Sequence, residues 1–336
     1  MSRDRRRAPI AVFPPLLGVE QMPSLTKRGG TAGTGAGPGT VHRRTLSRAG
    51  QRRLAGVAMT TPALAMITLF FFVPLVMMLW MSLHDWPLLG EHRFTGLRNY
   101  RDALHDTEFR TAVFFTVKYT LITTPVLFVL GFALALLVRR RHRGARFFQA
   151  VYFLPVVVGL ASAAFLWLFM FQSDIGPAGD LVDHLGLGSR TTNWFAGSTS
   201  AMLVVIGMVT WKIVGLQMLL LLTGLQSIPT DVEEAARIDG ASRLQTYRYV
   251  ILPLLRPTLA LVLVFSVAGS LLAFDQFYVM TGGGPSNSTI TAVYEIYRTS
   301  FIKFQLGYGS ALSALLMIVL AAVSAVQMLL LRSSDH

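Results

Sequence analysis

"EEAARIDGASRLQTYRYVILP" (Glu233–Pro253) is polar and charged, yet it sits between two apolar runs, each long enough to cross a bilayer as a helix. Its residues carry helix punctuation. Thr230 and Glu233 have capping-box spacing, in which the threonine hydroxyl accepts from the amide three residues on and the glutamate reaches back. Asp231, Glu233 and Glu234 fall in the first turn, where carboxylates suit the helix dipole. Gly240 fits the left-handed residue that closes a helix, and Ser242 with Gln245 repeats the capping-box spacing. Pro253 and Pro257 then mark entry to the next apolar run. The pattern predicts two short helices at a fixed bend, tied at each end to a membrane helix. Val232, Ala235 and Ala236 share one face at i, i+3 and i+4, flanked by Glu234 and Arg237. Such a face fits a groove on another protein; it fits a capped surface loop equally well.

The flanking sequence is that of a membrane protein. Of 336 residues, 53% are hydrophobic and 14% charged, where a soluble domain carries roughly a quarter charged. Six segments, 58–83, 112–138, 147–171, 201–224, 258–280 and 308–331, each supply the ~20 apolar residues that a hydrocarbon core demands. Period-two alternation is absent, so a barrel is not supported. Pro62, Pro74, Pro125 and Pro155 lie in or at the ends of spans, where neighbouring helices can re-satisfy the freed carbonyls. Of 30 lysines and arginines, 21 fall in the first 53 residues and the loops on one side, 7 in the loops on the other, and Lys118 and Lys212 lie inside spans. The positive-inside rule then puts both termini, and the Glu233–Pro253 stretch, in the cytoplasm. Trp80, Trp86, Tyr152 and Tyr278 near span ends suit an interfacial belt. Residues 1–53 are basic and rich in glycine and threonine, with little to bury; they read as a disordered cytoplasmic tail drawn to the membrane surface, ahead of a six-helix domain at 54–336. The first apolar run reads as a signal anchor that stays, being too long for a secretory h-region and without a small-residue cleavage site. The cytoplasmic loop spans 225–257.

Several chemistries are excluded. There is no cysteine, hence no disulfide or thiolate metal site, and no two of the seven histidines lie i, i+4. The net charge of +13 is concentrated at one membrane face rather than in a nucleic-acid footprint. None of the four lysines follows a glycine, so no phosphate-cradling loop of the P-loop type exists in this chain. The glycine-dense "TGGGP" (Thr281–Pro285) reads as a flexible break where the fifth helix ends. The external loops are too short to hold a catalytic domain, and no paired carboxylates or histidines mark a membrane-embedded enzyme.

Ionisable and polar groups inside spans are candidate pathway residues. Lys212 falls mid-way along the fourth span and Asp275 in the outer third of the fifth, where they could pair if the two spans face each other. Lys118, nearer a span end, reads as a snorkelling lysine. Ser266, Gly269, Ser270 and Ala273 recur at i, i+3, i+4 and i+7 of the fifth span as one small, weakly polar face; this either packs a neighbouring helix closely or lines a cavity. Gln217 and Gln276 are further candidates for that lining.

From residue 58 onward the chain resembles the sugar-type permease subunits of binding-protein-dependent ABC importers, the maltose and glycerol-3-phosphate permease kind. Their cytoplasmic signature is Glu-Ala-Ala, three residues, Gly, nine residues, then Ile-x-Leu-Pro. Here it stands as Glu234-Ala235-Ala236, Gly240 and Val250-Ile251-Leu252-Pro253, with Val250 the one departure. "FLPVVVG" in the third span, "GLQSIP" before the signature, "FDQFYVMTGGGPSNST" after the fifth span and "YGSALS" at the sixth also match. The resemblance implies an all-α, six-span fold of the type I importer permeases. It implies that Glu234, Ala235, Ala236, Gly240, Leu252 and Pro253 form a coupling element that docks in a cleft of a cytoplasmic ATPase subunit. It further implies a second permease chain, two ATPase subunits that hold the ATP and magnesium, an extracytoplasmic solute-binding protein, and carbohydrate uptake by alternating access with no covalent chemistry in this chain. In the related maltose permease the sugar-contacting positions fall on the face that here carries Ser266, Gly269, Ser270 and Ala273, with smaller side chains. The alternatives are an ABC permease for a non-sugar solute, against which "TGGGP" and "FLPVVVG" argue, and an ion-coupled carrier acting alone through Lys212 and Asp275.

Overall fold

The structure is a computed structural model that describes residues 48–139, 144–173, 175–186 and 191–331. The expected tail therefore lies outside the described residues up to position 47, whereas its last residues, from Arg48, already belong to the first helix. The chain divides into two compact units, residues 1–60 and 61–336.

In chain order, α1 (Arg48–Ile67) runs through a π-helical turn into α2 (Val73–Met81), followed by a two-stranded antiparallel ribbon, β1 (His84–Asp85) and β2 (Arg93–Phe94), and by α3 (Arg98–His105). Then come α4 (Thr107–Arg139), α5 (Ala145–Val157), α6 (Leu160–Met170), α7 (Pro177–His184) and α8 (Ser198–Gln226). The 225–257 loop gives α9 (Thr230–Ile238) and α10 (Arg243–Thr246). The last part holds α11 (Leu252–Leu271), α12 (Asp275–Met280), α13 (Ala292–Tyr297) and α14 (Leu306–Leu331). Among the described residues, five helices are long and apolar enough to span a membrane, and the bent pair α5–α6 makes a sixth.

Helix α8 is the mast of the domain. Of its apolar window, 56% is buried within the chain, against 11% for α14. Met202, Val205, Met208, Met218, Leu221 and Leu225 along it are almost fully buried. Gly215 lets α8 touch α5 backbone to backbone: a Cβ there would overlap the Tyr152 carbonyl and lie 3.0 Å from the Phe153 amide nitrogen. With lipid on the outside, close packing rather than apolar transfer holds such helices together, which favours small residues at the contact.

Two of the six spans differ from the expected continuous helices. The third breaks by 97° between α5 and α6. Pro155 weakens the last turn of α5, Val158 is extended, and Gly159 caps α6. The fifth stops at Leu271 rather than near residue 280, and Asp275 therefore lies outside the span, in the first turn of α12. The chain turns there because the Thr291 hydroxyl donates to the Ala273 carbonyl at 2.6 Å, and because Phe277, wholly buried, packs edge-on against Phe115 and Tyr119. "TGGGP" is a pinned turn rather than a flexible break: Thr281 Oγ1 accepts from Gly283 N, and Thr289 Oγ1 donates to the Gly284 carbonyl at 2.7 Å.

Candidate functional site

Two places in the domain carry functional candidates. The first is a cavity of about 520 Å³ between α4, α8, α11 and α12, within the size range of small-molecule sites. Ser266, Gly269 and Ser270 of α11 line it, so that small-residue face opens on space; Ala273 lines it too, but from the turn just past the end of the helix rather than from the helical face expected for it. Gln217 of α8 and Asp275 and Gln276 of α12 line it as well, which brings together every pathway candidate but Lys212. Most of the remaining wall is apolar or aromatic, including Tyr119, Phe265 and Phe274. Ser266 is buried and donates to the Val262 carbonyl at 2.7 Å, and it receives Gln217 Nε2 at 2.6 Å. Gln217 Oε1 and Gln276 Oε1 are buried with no hydrogen-bond partner in the protein.

Lys212 is the candidate that the structure places elsewhere. It is buried on α8, and its ammonium donates to the Val158 carbonyl at 2.5 Å and the Val156 carbonyl at 3.3 Å. These are carbonyls that the break between α5 and α6 deprives of helical donors. Lys212 therefore braces the broken third span. It does not pair with Asp275, which is exposed and lies at the cavity. A lone buried cation in a membrane span reads as a pathway residue from sequence; only the broken helix beside it reveals what it binds.

The second place is the loop at residues 225–257. Helix α9 follows α8 after three residues, and α10 continues through a π-helical turn into α11, so that Arg243–Leu271 is one rod. Gly240 has φ +82°, and the helix closes with the Gly240 amide on the Arg237 carbonyl and the Ala241 amide on the Ala236 carbonyl, the full Schellman pattern. The Ser242–Gln245 box forms, with Ser242 N on Gln245 Oε1 at 2.8 Å and Gln245 N on Ser242 Oγ at 3.4 Å. The Thr230–Glu233 box does not: Pro229 occupies the cap position, and Glu233 is drawn away to an ion pair with Arg139, the last residue of α4. Of the coupling candidates, Glu234, Ala235 and Gly240 are exposed and Ala236 half-buried on α9 and its cap, whereas Leu252 and Pro253 sit half-buried at the start of α11.

Sequence reasoning missed Tyr119 and the Arg139–Glu233 pair. Tyr119 lies in "TVKYTLITT", a polar-rich patch of the second apolar run, and that composition was the available signal. The ion pair joins residues 94 positions apart and left no local trace.

A bundle of bent and continuous spans around a polar-studded cavity, with an exposed helical elbow joined rigidly to two of them, defines a polytopic membrane protein of the permease class. The chain belongs to the family of binding-protein-dependent transport system inner membrane components, whose pattern matches residues 128–334. It is 33% identical to the trehalose/maltose transport system permease protein of Thermococcus litoralis, over 81% of this chain and 91% of that one. It is 31% identical to the sn-glycerol-3-phosphate transport system permease protein of Agrobacterium fabrum, over 83% of this chain and 94% of that one. Its fold matches a chain of a bacterial ABC transporter involved in the import of the acidic polysaccharide alginate, with a TM-score of 0.74 at 18% identity over 85% of this chain and 98% of that one.

Proposed function

We propose that this chain is the permease subunit of an ATP-driven importer that takes up a carbohydrate. The observation that carries the reading is the cavity on α11, where Ser266, Ser270, Gln217 and Gln276 present polar groups from otherwise apolar, aromatic walls. Such walls suit the C–H faces of a sugar ring, and the few polar groups suit its hydroxyls. The names of the relatives support the same substrate class.

Power comes from outside the chain in this reading. Both termini and α9 face the cytoplasm, and a second permease chain completes the passage. Two ATPase subunits, holding ATP and magnesium, grip α9 through Glu234, Ala235, Ala236 and Gly240, while an extracytoplasmic solute-binding protein delivers the solute. Because α9 leads directly into α8 and, through α10, into the α11 rod that begins at Leu252 and Pro253, displacement of the elbow tilts two walls of the cavity at once. Ala235→Asp and Gly240→Pro should each abolish carbohydrate uptake in cells lacking the native copy while the complex still assembles in the membrane. Wild-type uptake by both variants would refute the coupling role. Uptake of only non-carbohydrate solutes by the wild-type complex would refute the substrate class.

A further inference from the structure

We infer that this chain's wall of the pathway selects by charge: it accepts an uncharged, hydroxyl-rich solute and disfavours an anionic one such as a sugar phosphate or uronate. The inference rests on the carbohydrate reading and narrows it, since the relatives include permeases named for both neutral and phosphorylated solutes.

The hydrogen-bond network fixes what the cavity offers. The Ser266 hydroxyl proton is committed to the Val262 carbonyl, so toward Gln217 its oxygen can only accept. Gln217 must therefore point its amide nitrogen at Ser266, which leaves Oε1 as the free group. Gln217 and Gln276 are each only 4% exposed; Gln217 Oε1 is unpartnered, whereas the Gln276 amide meets the Tyr119 hydroxyl. Buried polar atoms in native proteins are nearly always satisfied, so such an oxygen on a residue of the cavity wall calls for a donor from a solute. A sugar or polyol hydroxyl supplies a donor; a phosphate or carboxylate oxygen supplies another acceptor and would face it unpaired.

Charge points the same way. Among the described residues no lysine, arginine or histidine lines the cavity, and the one ionisable side chain of fixed charge on its wall is Asp275. Lys212, the cation on the same helix as Gln217, is turned to the carbonyls of Val156 and Val158. An anion entering would meet the Asp275 carboxylate and the Gln217 amide oxygen, with no cation on the wall to offset them.

The test uses the assembled permease–ATPase complex in lipid nanodiscs without the binding protein, so that only the passage discriminates. Equilibrium binding is measured for matched pairs: trehalose against trehalose 6-phosphate, maltose against maltose 1-phosphate, and glycerol against glycerol 3-phosphate. At least one neutral probe should bind tenfold or more tighter than its phosphorylated partner. Asp275→Lys should narrow that gap to threefold or less, and Gln276→Leu should weaken the neutral probe. Equal or tighter binding of the phosphorylated partners, or no binding of any neutral probe, overturns the inference. Import of phosphorylated and neutral carbohydrates alike by the wild-type complex would sink charge selection but leave the carbohydrate reading standing; import of neither would sink both.

Discussion

Replacing Lys212 by methionine separates a structural brace from a transport residue. The substitution keeps the length and apolar stem of the side chain and removes the ammonium that meets the Val158 and Val156 carbonyls at 2.5 and 3.3 Å. A hydrogen bond from a charged donor is worth about 1.5–3 kcal/mol in soluble proteins. Inside membrane proteins the average polar contact is nearer ~0.6 kcal/mol, because the groups find other partners when helices separate. Burial of the ammonium carries its own desolvation cost, which methionine avoids and which offsets part of the loss. The net destabilisation of Lys212→Met is therefore about 1–3 kcal/mol, between the sum of two membrane contacts and one strong charged bond. The assay is thermal denaturation of the complex in nanodiscs beside solute uptake in cells. The variant should melt earlier yet retain measurable uptake at a permissive temperature, and Lys212→Arg, which keeps donors, should recover part of the stability. Unchanged melting with abolished uptake would refute the brace and return Lys212 to the transport pathway as a charge carrier.

Three further outcomes are expected. Arg139→Glu sets two carboxylates against each other between α4 and α9, so uptake should fall at least tenfold while ATPase activity persists, and the exchange Arg139→Glu with Glu233→Arg should restore it; normal uptake in the single variant would show that this pair bears no load. Gly215→Ala drives a methyl into the Tyr152 carbonyl, which should destabilise the domain by about 1–3 kcal/mol and lower the yield of assembled complex; an unchanged yield and melting temperature would mean that α5 and α8 are not in backbone contact. On the opposite side of the domain, Lys303 joins Glu108 at 2.7 Å and Glu295 at 3.0 Å. Burial pushes the Lys303 pKa down, but hydrogen bonds and charge from Glu108 and Glu295 outweigh it and hold the ammonium above the ordinary 10.5. A raised folded pKa gives stability that is whole below the unfolded value and is lost as pH rises through the folded one. The melting difference between the wild type and Lys303→Met should therefore be the same at about pH 7 and pH 9 and shrink only above the ordinary lysine pKa of ~10.4; a difference that shrinks between 7 and 9 would count against the clamp.

How far the sequence reaches can be seen residue by residue. The left-handed Gly240 and the Ser242–Gln245 box were readable because a helix cap is satisfied within a few residues. The Thr230–Glu233 box has the same spacing and failed, because Arg139 offers Glu233 a full charge where the cap offers one amide. The face Ser266, Gly269 and Ser270 followed from helical periodicity, but periodicity could not say that the helix stops before Ala273, nor whether the face met a helix or a void. Tyr119, Gln217 and Gln276 come from three different helices, and their convergence on one cavity left no mark in the spacing of any of them.

Local chemistry, then, determined the membrane class, the number of spans and the bent elbow: span length follows from bilayer thickness, and caps close over single turns. Tertiary structure alone decided where the apolar runs break. In lipid every freed carbonyl needs a donor, so the third span can bend after Val157 only because Lys212 of another helix reaches it, and the fifth can end at Leu271 only because Thr291 holds the turn. Those donors lie more than fifty and nearly twenty residues away from the carbonyls they satisfy, and the folded chain is what brings them there.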